Sequence, residues 1–167
     1  MIFAPARIME IPQQTTNQHE TIRKTSEALL RLMGFADAAV AIRQLAPEEP
    51  LMVAISIADA GILIGDRGAN LAAFEYVAKL VTKKIVPDGP RYVVDINGYR
   101  EQRFAELREL AHSVAGRVVR EQQEIALDPM PGVERRIIHL ELASRPDVKT
   151  ESEGEGAERR LVGKPLQ

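Results

Sequence analysis

One four-residue run in this sequence has the residue types and spacing needed to hold a phosphate group. It is Gly65-Asp66-Arg67-Gly68, called here the GxxG loop, and it lies between an apolar run and an amphipathic segment. Two glycines three residues apart allow a tight turn and the close approach of a ligand's backbone. The amides at the start of a following helix can then face a phosphate, to which Arg67 adds positive charge. Asp66 opposes this role unless it turns away and caps the following helix, because its carboxylate repels a phosphate.

A second set of residues suited to phosphate lies near the C-terminus. Arg135 and His139 are four residues apart, so on a helix they share one face. A guanidinium beside an imidazole forms a donor-rich surface for phosphate and for stacking on a base. Further arginines extend this basic surface or instead form surface ion pairs with Glu134, Glu153 or Glu158. These arginines are Arg136, Arg159 and Arg160.

Composition limits the classes of function. The chain has 167 residues, a net charge of -2, no Cys, no Trp and only 4% aromatic residues, so any nucleic-acid site must come from local clustering of Arg and Lys. No catalytic motif or set of metal ligands is present, and we expect no enzyme activity, cofactor or metal. No apolar stretch approaches the length of a membrane span, and we expect a cytoplasmic protein without membrane insertion.

The elements that position the GxxG loop form the first predicted unit, residues 18–97. Residues 1–17 are expected to be a flexible lead-in, with Asn17 capping a first helix. Two strands follow, the second within the apolar run Leu51 to Ile64, which leads into the loop. Apolar periodicity predicts a helix from Ala69 to Ile85, and alternation predicts a strand up to Asn97. The order is α-β-β-α-β.

The second predicted unit, residues 98–163, carries Arg135 and His139. A long helix to about Gln122 is followed by a short strand near Ile125. A second helix has Val133, Ile137 and Leu140 on one side, and a hairpin turns at Gly154-Glu155-Gly156. The order is α-β-α-β-β, and the whole chain is expected to be α+β with two small domains.

These motifs resemble two known domains. Ile64-Gly65-x-x-Gly68 followed by Leu71, in this order of elements, resembles a K-homology (KH) domain of type II. The segment Glu134 to Leu140 and the later run Ser152 to Arg160 resemble the R-three-H domain, named for Arg-x-x-x-His. The succession of the two, from about Thr21 to Val162, resembles the Jag (SpoIIIJ-associated) family of bacterial RNA-binding proteins.

The resemblance implies an RNA chaperone that grips single-stranded RNA, or single-stranded DNA, with both domains. Two weak sites on one chain add affinity through effective concentration. The alternative is a scaffold whose KH unit pairs with another small KH protein or with itself, while its loop holds no RNA. Many Jag proteins have a further N-terminal domain and a basic linker ahead of the KH domain. In this sequence only the lead-in of residues 1–17 precedes the KH-like unit, so the resemblance gives no expectation for the roles tied to that domain, such as coupling to a membrane insertase or cell-wall control.

Overall fold

The computed structural model describes residues 13–44, 46 and 48–166, and it consists of helices packed on two small sheets. This confirms the predicted α+β class. Contacts divide the chain between Tyr99 and Arg100, two residues beyond the predicted boundary. No helix in the described ranges is long and apolar enough to cross a membrane.

The first unit has the order of elements expected of a type II KH arrangement, with one addition. Its elements are α1 (Gln13–Leu32), β1 (Ala39–Arg43), β2 (Leu51–Ser56), α2 (Gly61–Ile64), α3 (Ala69–Ile85) and β3 (Tyr92–Ile96). The sheet has the order β1-β2-β3, in which β2 is antiparallel to β1 and parallel to β3. Alternate residues of β2 are buried, and with β3 and α3 they form the core around Val53, Phe74 and Val94.

Two predictions about the first unit are wrong. No strand leads directly into the GxxG loop, because β2 ends at Ser56 and the short helix α2 lies between them, so that the loop joins two helices. Asn17 does not cap α1, because the helix already begins at Gln13. The Asn17 carbonyl instead accepts a hydrogen bond from the Thr21 hydroxyl within the helix. Of the predicted lead-in, residues 1–12 lie outside the described part of the chain and residues 13–17 are helical.

The second unit places two helices beside a three-stranded sheet. Its elements are α4 (Tyr99–Glu121), β4 (Ile125–Ala126), α5 (Gly132–Leu142), β5 (Val148–Glu153) and β6 (Arg160–Pro165). The sheet order is β4-β6-β5, and both pairings are antiparallel. Helix α4 buries an apolar stripe formed by Leu107, Ala111, Val114 and Val118.

Helix α5 is rotated relative to the prediction. Val133 and Leu140, two members of its predicted apolar face, are 64% and 59% exposed. The buried positions are instead Glu134, Ile138 and Leu142, which are spaced by four residues. A carboxylate therefore occupies a buried position that the hydrophobic pattern could not indicate.

Candidate nucleic-acid interface

The second unit has a cavity of about 270 Å³ between helix α5 and the β5–β6 hairpin. Arg135, Arg136 and His139 all line it, so the structure brings together three of the predicted site residues. The full lining consists of Gly132, Arg135, Arg136, His139, Thr150, Ser152 and Leu161. Donor groups from two elements therefore converge on one concave surface.

Arg135 is held in place by backbone carbonyls rather than by a carboxylate. Its Nη1 donates to the carbonyl of Met130 at 2.6 Å and lies 3.4 Å from the carbonyl of Arg159. A Cβ atom placed on Gly132 would lie 3.4 Å from Nη2, so the second amino group points along the first turn of α5. Because its anchors are neutral, the guanidinium keeps its full positive charge for a ligand.

His139 is oriented by a hydroxyl group on the neighbouring strand. Its Nδ1 lies 2.6 Å from Oγ1 of Thr150. The imidazole remains exposed. Since Nδ1 is occupied, Nε2 is the ring nitrogen available to a ligand.

Strand β5 keeps its acidic residues off the cavity. Thr150 and Ser152 line the cavity, and in a strand the intervening residues point to the opposite face. There Lys164 Nζ lies 2.7 Å from Glu151 and 2.9 Å from Glu153. These hydrogen bonds raise the pKa of Lys164, and those from Lys164 and Lys149 lower the pKa of Glu151. The carboxylates are thus paired away from the site.

The other predicted arginines are exposed, and only Arg136 lines the cavity. Arg159 contributes its backbone carbonyl to the anchoring of Arg135, and Arg160 lies opposite Glu153 in the hairpin. Within residues 13–44, 46 and 48–166, none of the three forms the ion pair that was the alternative interpretation. Two of the expected acidic partners are engaged elsewhere, Glu134 with Arg103 and Glu153 with Lys164.

Helix α5 is fixed to α4 by an ion pair that sequence reasoning missed. Nε and Nη2 of Arg103 donate to the two carboxylate oxygens of Glu134 at 2.9 and 3.1 Å. Glu134 is only 6% exposed, which makes this a buried, bidentate contact. It sets the rotation of α5 and therefore the direction in which the adjacent Arg135 projects.

The GxxG loop has the unusual backbone that its glycines suggested. The φ angles are positive at Gly65 (71°), at Arg67 (49°) and at Gly68 (80°). The Arg67 side chain is exposed beside them. Left-handed conformations at non-glycine residues are uncommon and are often found where a backbone is shaped for function.

The space beside each glycine is filled by the protein itself. A Cβ on Gly65 would lie 2.6 Å from the Asn70 side chain, whose amide donates to the carbonyl of Ile62. A Cβ on Gly68 would lie 2.9 Å from the ring of Tyr99. Both glycines are thus required for packing as well as for conformation. Asp66 does not cap α3, because the helix has Gly68 at its N-cap and no side-chain cap bond.

Sequence reasoning did not identify the hydroxyl groups of the cavity. Thr150 and Ser152 are two residues apart on β5, so they lie on the same face of the strand. This alternation, on a strand that follows α5, is the sequence pattern that could have indicated that both face the helix. The predicted residues fall into two groups, one in each unit: the GxxG loop in the first, and the arginines with His139 in the second.

The cavity and its Arg-x-x-x-His helix define the second unit as a domain of a known class. Residues 105–164 match the family model of the R-three-H domain. The match contains α5, β5, all of β6 but its last residue, and every residue that lines the cavity.

Relatives of the chain carry the name "RNA-binding protein KhpB". The protein of Clostridium symbiosum is 38% identical over 115 residues, which are 69% of this chain and 52% of that protein. The protein of Bacillus subtilis is 38% identical over 62% of this chain and 50% of its own length. The protein of Lactiplantibacillus plantarum is also 38% identical, over 61% of this chain and 32% of its own length. The chain thus spans about a third to a half of these relatives. The matches confirm the predicted resemblance to the Jag family.

Proposed function

We propose that the protein binds single-stranded RNA and that the cavity bearing Arg135 and His139 is its principal contact. The observation that carries the proposal is the cavity itself, in which an arginine anchored by neutral carbonyls lies with a second arginine, an imidazole and two hydroxyl groups. Such donors suit phosphate oxygens and the polar edges of unpaired bases. The name of the relatives, RNA-binding protein, supports the same ligand.

The GxxG loop is proposed as a second, weaker contact. Exposed Arg67 offers charge to a phosphate, while exposed Asp66 next to it reduces that attraction. Because the two sites are on one chain, occupation of one raises the effective concentration of RNA at the other. Under this proposal the protein acts as an RNA chaperone in the cytoplasm and does not cleave its ligand.

The direct test replaces both cavity residues, Arg135→Ala with His139→Ala, and measures binding to single-stranded RNA. We expect a loss of about tenfold to thirtyfold at low salt, because hydrogen bonds from charged groups are worth about 1.5–3 kcal/mol each in favourable cases. The slope of log K against log salt should also fall by about one, since one phosphate contact is lost. Filter binding over a salt series measures both quantities.

The second unit offers a matched control for this test. Arg108 and His112 are also four residues apart on a helix, but they contact Glu141 at 3.7 and 2.9 Å and do not line the cavity. The double variant Arg108→Ala with His112→Ala should bind RNA within about twofold of the unchanged protein. Equal losses in the two double variants would contradict the proposed site. Asp66→Ala should also have less effect than the cavity variant.

A protein-interaction scaffold is the second candidate, and an exposed apolar surface in the first unit favours it. Tyr76, Val77 and Leu80 on α3 are 64%, 45% and 49% exposed. Beside them is a cavity of about 300 Å³ with an almost entirely apolar lining, to which Met33 and Ile62 contribute. Exposed apolar patches of this kind mark protein interfaces in many proteins. The partner would be another small KH protein or a second copy of this chain.

Reversing the charge at Asp66 distinguishes the two candidates. If the loop already contacts RNA, Asp66→Lys removes one repulsion and should raise the affinity only about threefold to fivefold. A gain well beyond tenfold would show that the native loop is a poor clamp and would favour the scaffold. Asp37→Lys, at an exposed turn of the same unit, changes the net charge equally and controls for general attraction of RNA.

A further inference from the structure

We propose that Thr150 is a positioning residue for RNA binding. Its hydroxyl group donates a hydrogen bond to Nδ1 of His139 and thereby orients the imidazole. The inference rests on the proposed function and adds a residue and an atomic role to it. Oγ1 of Thr150 and Nδ1 of His139 are 2.6 Å apart, a short distance for a hydrogen bond between a hydroxyl and an imidazole. The bond joins the middle of β5 to the third turn of α5 across the cavity.

The direction of this hydrogen bond determines what the imidazole presents to a ligand. A neutral imidazole has one N–H donor and one acceptor nitrogen. If the hydroxyl donates to Nδ1, the ring proton stays on Nε2, and Nε2 becomes a donor. A donor is the group that a phosphate oxygen requires. The arrangement thus supplies a donor without requiring the ring to carry a charge.

The surroundings of His139 agree with a donor role. Besides His139 and Thr150, the polar side chains that line the cavity are those of Arg135, Arg136 and Ser152, and none is a carboxylate. A lone pair on Nε2 would repel a phosphate oxygen held by the two arginines, whereas Nε2–H adds a donor to a surface suited to an anion. On the opposite face of β5, Glu151 and Glu153 are paired with Lys164.

The backbone pairing of Thr150 allows its hydroxyl to be tested apart from the fold. Thr150 pairs with Gly163 in the hairpin, and the pairing does not depend on the side chain. Val has nearly the shape of Thr and favours strands, so Thr150→Val should leave the hairpin intact while removing the hydroxyl. Thr150→Ser keeps the hydroxyl and provides the conservative rescue.

The first experiment is a cycle of RNA affinities in the full chain. Thr150→Val should weaken binding about threefold to tenfold, as expected for one lost hydrogen bond, and Thr150→Ser should restore most of it. In a His139→Ala background, Thr150→Val should cause no further loss, because Thr150 acts through the imidazole. An unchanged affinity for Thr150→Val, or an equal loss in both backgrounds, would overturn the proposal.

The second experiment needs no RNA, and it therefore separates a failure of this inference from a failure of the proposed function. Nitrogen-15 chemical shifts of the His139 ring, recorded at a pH of about 8.5, well above the ordinary pKa of an imidazole, report which nitrogen carries the proton. The Nε2–H form should dominate in the unchanged protein, in Thr150→Ser and in the control Ser152→Ala, and less so in Thr150→Val. A dominant Nδ1–H form in the unchanged protein would show that Thr150 accepts the hydrogen bond, and this would overturn the proposal whether or not RNA binds.

Discussion

At the scale of single residues, Arg135 differs from Arg108 in what its guanidinium contacts. Both are followed by a histidine four residues later on a helix of the second unit. Arg108 and its histidine both contact the carboxylate of Glu141, which offsets the charge of the Arg108 guanidinium, whereas Arg135 is anchored by carbonyls. The i,i+4 spacing alone therefore does not identify a site. The partners, which only the fold supplies, decide whether a ligand can use the pair.

The glycines of the GxxG loop also depend on their surroundings. Gly68 has a φ of 80°, and a Cβ there would lie 2.9 Å from the Tyr99 ring. We expect Gly68→Ala to lower the free energy of unfolding by about 1–3 kcal/mol, because it adds both a left-handed alanine and a steric clash. Urea denaturation measures the change.

The control for this substitution is another glycine of the same chain. Gly116 lies inside helix α4, and a Cβ placed there has nothing within 4 Å. Gly116→Ala should raise the free energy of unfolding by about 0.5–1 kcal/mol. If Gly68→Ala were as stable as the unchanged protein, the packing of Tyr99 against the loop would not be as described.

At the scale of elements, the buried pair between Arg103 and Glu134 positions α5. We expect Glu134→Gln to lower the free energy of unfolding by about 2–4 kcal/mol. Removal of one partner of a buried pair typically costs about 3–5 kcal/mol, and Arg103 keeps a contact with Glu106 at 3.2 Å. RNA affinity should fall as well, because α5 carries Arg135. Denaturation and filter binding check the two effects.

Glu106 provides the comparison for this prediction. Its carboxylate contacts the same guanidinium, but its side chain is 48% exposed against 8% for Glu134. Glu106→Gln should change the free energy of unfolding by less than about 1 kcal/mol. Similar effects of the two substitutions would mean that burial of Glu134 does not strengthen the contact between the helices.

The elements show where sequence patterns are sufficient and where they are not. Helix α3 begins and ends where its periodicity predicted, at Ala69 and Ile85. A long amphipathic segment bounded by turn residues favours a helix over any other regular structure. The apolar run from Leu51 to Ile64 was predicted to lead into the loop as strand, but its last four residues form α2, since a short apolar run fits a strand and a buried helix equally well. Buried Glu134 was unpredictable because its partner Arg103 is 31 residues away.

At the scale of the whole molecule, the proposed RNA binding depends on local rather than total charge. The chain has a net charge of -2, so it does not attract RNA by its overall field. The fold compensates by pairing acidic side chains with neighbouring cations, as at Lys164, while Arg135 remains available beside the cavity. The composition predicted that any nucleic-acid site needs locally clustered Arg and Lys residues. The Arg-x-x-x-His motif predicted where this cluster lies. The supporting residue Thr150 required the fold, because helix and strand meet only in three dimensions.

Crosslinking of the purified protein to single-stranded RNA, with the contact peptides identified, tests the central claim most directly. The account predicts that most crosslinked peptides come from the second unit, at α5 (Gly132–Leu142) and β5 (Val148–Glu153), with a smaller yield at the GxxG loop. The yield at α5 and β5 should fall in the Arg135→Ala, His139→Ala double variant. Crosslinks confined to the first unit, or a complete absence of RNA crosslinks, would contradict the account.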